Sequence, residues 1–338
     1  MKKKQPIFII AKIVVAAALL TWLFHKANHK GQVWQDIRHA RLAPILAGIF
    51  LCWFTILIAG WRWHRLLAAF KIDIPLPALI CIAQIGQFFL MFMPGPTGDD
   101  LTRMLYISRL TKGVNVGEAC TSVLLDRCIG LVSVLLLAVC CIPFRWHTLA
   151  SRPESRLLAV AILAAGGIVL LGMLVFFVVD GRVMQHLFDS ILRLLPASRI
   201  RHDFSIISRH VFTSKPAIAQ VICAALGTQL ILCIVFYLAG RSMEIHVPIG
   251  VWFGFVPIII AANAIPITIA GFGVREYLMA LFLGVLAGIG KPQAYAASIV
   301  AFFMMLAICL LGGIVYVLYK PAKNKIQSAD GNTPSAPV

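Results

Sequence analysis

Long apolar runs separated by short polar connections dominate the chain, and they predict helices that cross a membrane. A helix needs about 20 mostly apolar residues to cross the hydrocarbon layer. We predict eight spans and, from residue 321 onward, a disordered polar cytoplasmic tail rich in Pro, Ser and Lys. The predicted spans are residues 7–24, 42–60, 119–143, 157–179, 216–239, 250–270, 273–290 and 294–319.

A further apolar run, residues 78–93, is too short to cross. It follows Pro77 and precedes Pro94, and as a helix it would reach about 24 Å of a hydrocarbon layer about 30 Å thick. Irregular backbone survives at membrane depth only inside protein or beside a water-filled cavity. We therefore predict an all-α polytopic membrane protein with about eight transmembrane helices and one re-entrant broken helix, and leave open whether residues 78–93 or 250–270 cross.

Composition agrees with this prediction. Of 338 residues, 60% are hydrophobic and 13% are charged, and the mean hydropathy is +0.91, as is typical of helical membrane proteins. We expect one integral membrane domain, residues 1–320, without a soluble catalytic module. The nine cysteines lie in or beside apolar runs without a Cys-x-x-Cys pair, so we expect them to pack and to bind no metal or cofactor.

The net charge of +17 fits contact with anionic lipid headgroups better than nucleic-acid binding, because the basic residues lie in loops beside the spans. With the N-terminus in the cytoplasm, the inner side carries 18 Lys and Arg and the outer side 9. This bias predicts cytoplasmic termini, in what we expect to be a bacterial inner membrane. The segment Trp61-Arg62-Trp63 is typical of an interfacial anchor.

Asp126 and Arg127 are the first charged pair that we expect inside a span. The 15 residues that follow them, 128–142, would reach only about 22 Å, so the helix must extend back through the pair. Ionisable groups inside a membrane usually line a functional pathway, although a structural ion pair is the alternative.

Arg275 and Glu276 repeat this situation before another short apolar run, residues 277–290. Pro257 and Pro266 are expected to interrupt the preceding span, and Gly271 and Gly273 free the backbone before the pair. A half-helix starting here would present unpaired N–H groups beside a cation, which suits an anion such as phosphate. A tight interhelical turn with an incidental ion pair is the alternative.

The two interrupted regions resemble each other. Arg103 follows Pro94 by nine residues, and Arg275 follows Pro266 by nine. Interrupted apolar segments in corresponding halves indicate an inverted repeat with a transport site between its parts. The candidate backbone breaks are Pro94, Gly95, Gly98, Pro266, Gly271 and Gly273, and the candidate lipid-headgroup and transport residues are Asp99, Asp100, Arg103, Asp126, Arg127, Arg275 and Glu276.

Four short motifs in order resemble the membrane region of lysylphosphatidylglycerol synthetases, a family of flippase-like proteins. They are RW-x-x-LL from Arg62, GD-D-x-x-R ending at Arg103, DR-x-x-G from Asp126, and G-x-G-x-RE ending at Glu276. Asp99 stands where the family pattern has a second glycine. The resemblance implies lipid binding or translocation, and we expect no lysylation, because only a short polar tail follows residue 319 and we expect no aminoacyl-transferase module.

These observations favour a lipid transporter, without catalytic residues, that binds or moves a phospholipid or related anionic lipid through a charged groove. Guanidinium groups suit bidentate contact with phosphate. Two alternatives stay open: a non-catalytic partner of a cell-envelope lipid-modifying enzyme, and an intramembrane lipid headgroup transferase. The lipid, the direction, the energy coupling and the oligomeric state do not follow from the sequence.

Overall fold

The computed structural model describes residues 38–69, 72–90, 97–110, 116–151, 153–179, 183, 215–264 and 273–319, and the regular structure of these residues is helical. The predicted first span and the polar tail lie outside them. The helices are α1 (Leu42–Ala69), α2 (Leu76–Leu90), α3 (Thr97–Leu110), α4 (Val116–Cys141), α5 (Trp146–Leu149), α6 (Pro153–Val178), α7 (Lys215–Ser242), α8 (Ile249–Ala264), α9 (Val274–Ala287) and α10 (Lys291–Leu318).

Among the described residues, five helices are long and apolar enough to cross a membrane: α1, α4, α6, α7 and α10. They have 23 to 28 apolar-rich residues each, which is 34 to 42 Å of helix at about 1.5 Å per residue. Each corresponds to one of the predicted spans. The chain is therefore a polytopic helical membrane protein, and the full count of eight spans stays a prediction.

Apart from the four-residue α5, the remaining described helices are short and come in two pairs. Helix α2 has 15 residues and α3 has 14, and they are separated by residues 91–96, which lie outside the described residues. Pro77 falls in the first turn of α2, where its missing N–H is harmless. At about 22 Å, neither helix crosses the bilayer alone, as predicted for the run 78–93.

The second pair corrects the sequence prediction at Pro257. Helix α8 runs 16 residues straight through that proline, so the chain is not interrupted there. Helix α9 has only 14 residues. The predicted spans 250–270 and 273–290 thus contain helices of about 24 and 21 Å, shorter than the hydrocarbon layer. The backbone between them, including Pro266 and Gly271, lies outside the described residues.

The helix order repeats across the two halves of the chain. A long helix, two short helices and a second long helix follow one another in α1–α4 and again in α7–α10. The helix lengths match closely, with 28, 15, 14 and 26 residues in the first half and 28, 16, 14 and 28 in the second. Helices α5 and α6 lie between the two units in the sequence.

The two units have opposite orientations. The Arg41 N–H, just before α1, donates to the Ser242 carbonyl at the end of α7, and Arg65 near the end of α1 donates to Gln220 near the start of α7. The equivalent helices α1 and α7 therefore run antiparallel, and the repeat that the paired breaks predicted is inverted.

Each unit contributes helices to the packing of the other. Helix α1 packs along α7 at the centre, α2 packs against α10, and α8 packs against α4. Aromatic side chains fill the core around α8, where the Phe255 and Phe282 rings stack at 5.6 Å between centroids. The short helices are thereby enclosed by long ones, which is where interrupted backbone is tolerated in a bilayer.

Gly312 permits the close approach of α10 to α2. A Cβ atom at this position would overlap the carbonyl oxygen of Gln84, which belongs to the α2 backbone. Small residues of this kind let membrane helices pack at short distance, where dispersion and interhelical contacts stabilise them. The same α2 residue also donates its side-chain amide to the Ile308 carbonyl, 2.6 Å away.

We predict that Gly312→Ala lowers the apparent melting temperature of the purified protein in detergent, because α2 must move away from α10. The matched control is Gly172→Ala on α6, where an added Cβ meets nothing within 4 Å and where alanine favours helix. Thermal unfolding followed by tryptophan fluorescence compares the two. Equal melting temperatures for Gly312→Ala and Gly172→Ala would contradict the packing described.

Candidate functional site

Asp126 is the buried carboxylate around which the first charged site is built. It lies on α4, seven residues into the span that begins at Ala119, and it is only 3% exposed. The Arg62 guanidinium of α1 donates to it through both Nε and Nη2, at 2.6 and 2.8 Å. This fork-to-fork geometry is the strongest form of a charge-assisted hydrogen bond.

Arg103 of α3 connects this pair to a second carboxylate. Its Nη1 donates to Asp126 at 3.1 Å, and its Nε donates to Asp99 at 2.8 Å. The guanidinium also lies 5.0 Å from the centroid of the Trp63 ring, a cation–π distance. Arg103 is 4% exposed, so its charge is balanced entirely within protein.

Arg127 extends the network toward a less buried region. Its Nη2 donates to Asp99 and its Nε donates to Asp100, both at 2.7 Å. The Arg127 side chain is 39% exposed and the Asp100 side chain 19%, whereas that of Asp99 is 2% exposed. The pair Arg127–Asp100 is therefore the accessible end of the network.

The six side chains form one chain of alternating charge, which we call the ion chain. Its order is Arg62, Asp126, Arg103, Asp99, Arg127 and Asp100. It joins α1, α3 and α4, and its three positive and three negative charges cancel. Cancellation is required here, because an unpaired charge at the bilayer centre costs roughly 2.5–3.5 kcal/mol on insertion scales.

Two glycines let α2 and α3 fold tightly against the ion chain. A Cβ atom at Gly86 of α2 would overlap Oδ1 of Asp99, and one at Gly98 would overlap the Phe89 carbonyl near the end of α2. Gly98 therefore lies in a position where any side chain would separate the two short helices. Gly98, which was predicted as a backbone break, is the second residue of α3, and the other two candidate breaks before it, Pro94 and Gly95, lie outside the described residues.

A second, smaller charged group lies at the start of α9. Arg275 donates to Oε1 of Glu276 through Nη2 at 2.5 Å and through Nε at 3.0 Å, and also to the Ser298 hydroxyl of α10 at 3.2 Å. The Phe302 ring lies 5.2 Å from its guanidinium. Arg275 is 3% exposed and Glu276 1%.

Glu276 also caps the helix that it belongs to. The other oxygen of its carboxylate accepts the N–H of Gly273 at 2.7 Å, and Gly273 has a φ of +89°, which suits glycine. The sequence predicted unpaired N–H groups here, beside a cation and ready for an anion. In the structure the Glu276 carboxylate accepts one of these groups, the Gly273 N–H, and also neutralises Arg275, so Glu276 competes with any external anion.

The two charged groups occupy equivalent places in the inverted repeat. Asp126 follows Arg103 by 23 residues, and Ser298 follows Arg275 by 23. Both arginines and both acceptors are therefore 172 residues apart (103 to 275, 126 to 298). In each unit, the arginine of the second short helix donates to the following long helix, but serine replaces the aspartate in the second unit.

The structure thus brings five predicted residues together and leaves two apart. Asp99, Asp100, Arg103, Asp126 and Arg127 share the ion chain, while Arg275 and Glu276 form the separate pair. The second group contacts α10 directly, through the bond from Arg275 to Ser298. Helix α2, whose Gly86 lies against Asp99 of the ion chain, contacts α10 through the bond from Gln84 to the Ile308 carbonyl. Ser298 and Ile308 are ten residues, or about 15 Å, apart along that helix.

Sequence reasoning missed Arg62 and Trp63 as parts of the site. The prediction of an interfacial anchor is wrong for both: Trp63 is fully buried and Arg62 is 8% exposed. Trp61 is partly exposed and lies beside Arg65, 5.8 Å from its guanidinium carbon. The sequence did contain a signal for Arg62: Asp126 lies inside a predicted span, so its carboxylate needed a cation from another helix.

We predict that Asp126→Ala strongly destabilises the protein, because it leaves Arg62 buried without its carboxylate partner. Breaking a buried pair in this way typically costs about 3–5 kcal/mol. The control is Arg41→Ala, which breaks the exposed pair Arg41–Glu244 and is expected to cost at most about 1 kcal/mol. Thermal unfolding in detergent measures both, and a change no larger for Asp126→Ala than for Arg41→Ala would contradict the assigned role.

Comparison with known proteins places the chain in a family. The model of the lysylphosphatidylglycerol synthase TM region matches residues 9–313, a range that includes helices α1 to α9, most of α10 and every residue of the two charged groups. No curated protein matches the chain. Since the family model covers most of the sequence, the chain belongs to the lysylphosphatidylglycerol synthase TM region family, as the order of its four motifs predicted.

Proposed function

We propose that this protein binds the headgroup of a phosphate-bearing membrane lipid and carries it across the bilayer while the acyl chains stay in lipid. The observation that carries the proposal is the inverted repeat, in which each unit places buried arginine and carboxylate groups beside an interrupted pair of short helices. Substrate sites of many secondary transporters lie at such interruptions, near the bilayer midplane and between two inverted units.

The chemistry of the charged groups supports a headgroup ligand. Arginine binds phosphate through two parallel hydrogen bonds, and Arg275 already uses two of its nitrogens on one carboxylate oxygen of Glu276. A phosphate oxygen can replace that carboxylate oxygen without moving the guanidinium. The exchange keeps the Arg275 charge paired but releases the buried Glu276 carboxylate, which then has to take up a proton or another donor, because an unpaired charge is costly in a membrane interior.

The sequence contains no nucleotide-binding loop, so the proposed movement is downhill, scramblase-like or coupled to an ion. Asp126 and Glu276 are the carboxylates that we propose for coupling to protons, since each is buried against arginine. The proposed location is a bacterial inner membrane with both chain termini in the cytoplasm, as the distribution of Lys and Arg predicts.

We predict that Arg275→Lys abolishes or greatly slows lipid translocation while the protein stays folded. Lysine keeps the positive charge beside Glu276 but lacks the planar fork that binds phosphate at two points. The measurement is transfer of fluorescent phospholipids between leaflets of proteoliposomes that contain purified protein, compared with protein-free vesicles and wild type.

A double variant separates function from stability. Arg275→Gln with Glu276→Gln removes both charges together, so no uncompensated charge stays buried, and we expect a folded protein without translocation. Arg41→Lys, at the exposed pair, serves as the matched arginine control and should translocate like wild type. Wild-type rates in both Arg275 variants would contradict a role for this group in transport.

A further inference from the structure

The charges of the site cancel, and this limits the headgroups that it can accept. The ion chain holds three arginines and three aspartates, and the second group holds one arginine and one glutamate. The excess of basic residues in the sequence predicted anionic headgroups. Among the described residues, positive and negative charges balance in these two groups, so a headgroup with net charge would leave one charge unpaired.

Exposure along the ion chain shows where a headgroup can enter. The side chains of Asp126, Arg103 and Asp99 are 2 to 5% exposed, and that of Arg62 is 10% exposed. Arg127 at 39% and Asp100 at 19% are the accessible members. A ligand that reaches the chain from outside therefore meets one guanidinium and one carboxylate, which are bonded to each other.

The hydrogen bonds of Arg127 allow this end pair to open while the rest stays fixed. Its Nη2 is held by Asp99, which is itself held by Arg103, whereas only its Nε is bonded to Asp100. If Asp100 turns away, Arg127 keeps its position and offers Nε to an incoming acceptor. The released Asp100 carboxylate then needs a cationic donor nearby.

We propose that Arg127 and Asp100 are the selectivity pair of the site, and that they select a headgroup carrying one phosphate and one ammonium group. The phosphate takes the place of Asp100 at Arg127, and the ammonium takes the place of Arg127 at Asp100, so each partner of the opened pair finds an opposite charge. This inference rests on the proposed function, because it names the class of headgroup that the proposed transporter accepts, at the ion chain and not at the Arg275–Glu276 pair.

Headgroups of other charge fit this pair less well. A headgroup with phosphate alone would bind Arg127 but would place its negative charge beside Asp100, without a donor for that carboxylate. A headgroup with only cationic groups would bind Asp100 and leave Arg127 without its partner. Both cases add a like-charge contact or an unpaired charge in a partly desolvated place, which lowers affinity.

The test compares two short-chain lipids bound to the purified full-length protein in neutral detergent at fixed ionic strength. Dihexanoyl phosphatidylethanolamine carries a phosphate and an ammonium, and dihexanoyl phosphatidylglycerol carries the phosphate alone. Basic loops attract anionic lipid in every variant, so the quantity compared between variants is the ratio of the two affinities, measured by isothermal titration calorimetry.

We expect Asp100→Asn to lower the ratio of phosphatidylethanolamine affinity to phosphatidylglycerol affinity about tenfold relative to wild type. The reason is that losing one charge pairing with the ammonium weakens phosphatidylethanolamine binding by about a factor of ten. Asp73→Asn is the matched control, since Asp73 is exposed and lies in the connection between α1 and α2. It should leave the ratio within about twofold of wild type.

Three outcomes are decisive. A ratio that falls in Asp100→Asn and not in Asp73→Asn supports the selectivity pair. An unchanged ratio in Asp100→Asn, with wild type still translocating lipid in proteoliposomes, overturns the pair and leaves the proposed function standing. Wild type that neither binds nor translocates either lipid overturns the proposed function as well.

Discussion

The pairing of charges inside the bundle is the constraint on which the rest of the structure depends. Asp126 accepts hydrogen bonds from Arg62 of α1 and Arg103 of α3, and through these bonds three helices hold one another. Removing a charge from water costs free energy. Ion pairs offset that cost only where the geometry is good and nearly all hydrogen-bonding positions of the charged groups are occupied. The alternating ion chain meets that condition and at the same time holds α3 within the long helices.

The inverted repeat explains why a second charged group exists and why it differs from the first. Positions 172 residues apart correspond, so Arg103 matches Arg275, while Arg62 matches Ile234 and Asp126 matches Ser298. Among the described residues, the first unit therefore carries a six-membered ion chain, and the second carries the pair Arg275–Glu276 with Ser298 beside it. Arg103 is held on two sides by Asp99 and Asp126.

Much of this arrangement could be predicted from the sequence, because in a membrane both helix length and charge are strongly constrained. The short run after Arg127 predicted that its helix extends back through the charged pair, and α4 begins at Val116 as required. The equal spacing from Pro94 to Arg103 and from Pro266 to Arg275 predicted the repeat. Family membership followed from four motifs in order, each of which is weak alone.

The remaining features depend on contacts between distant parts of the chain. Arg62 looked like an interfacial residue because its partner is 64 positions away on another helix. Pro257 looked like a break, but α8 continues through it, since packed neighbours allow proline inside membrane helices. The free N–H expected at the start of α9 is bonded to Glu276, a local capping interaction that competes with any anion.

We propose that the accessible end of the ion chain receives a lipid headgroup inside the bundle. A cryo-electron microscopy structure of the full-length protein in nanodiscs of phosphatidylethanolamine, at a resolution that shows lipid phosphate, would test this placement. We expect phosphate density within hydrogen-bonding distance of Arg127, with the Asp100 carboxylate turned away from that guanidinium. Lipid density confined to the outer surface of the bundle, with the Arg127–Asp100 bond intact in every resolved state, would contradict it.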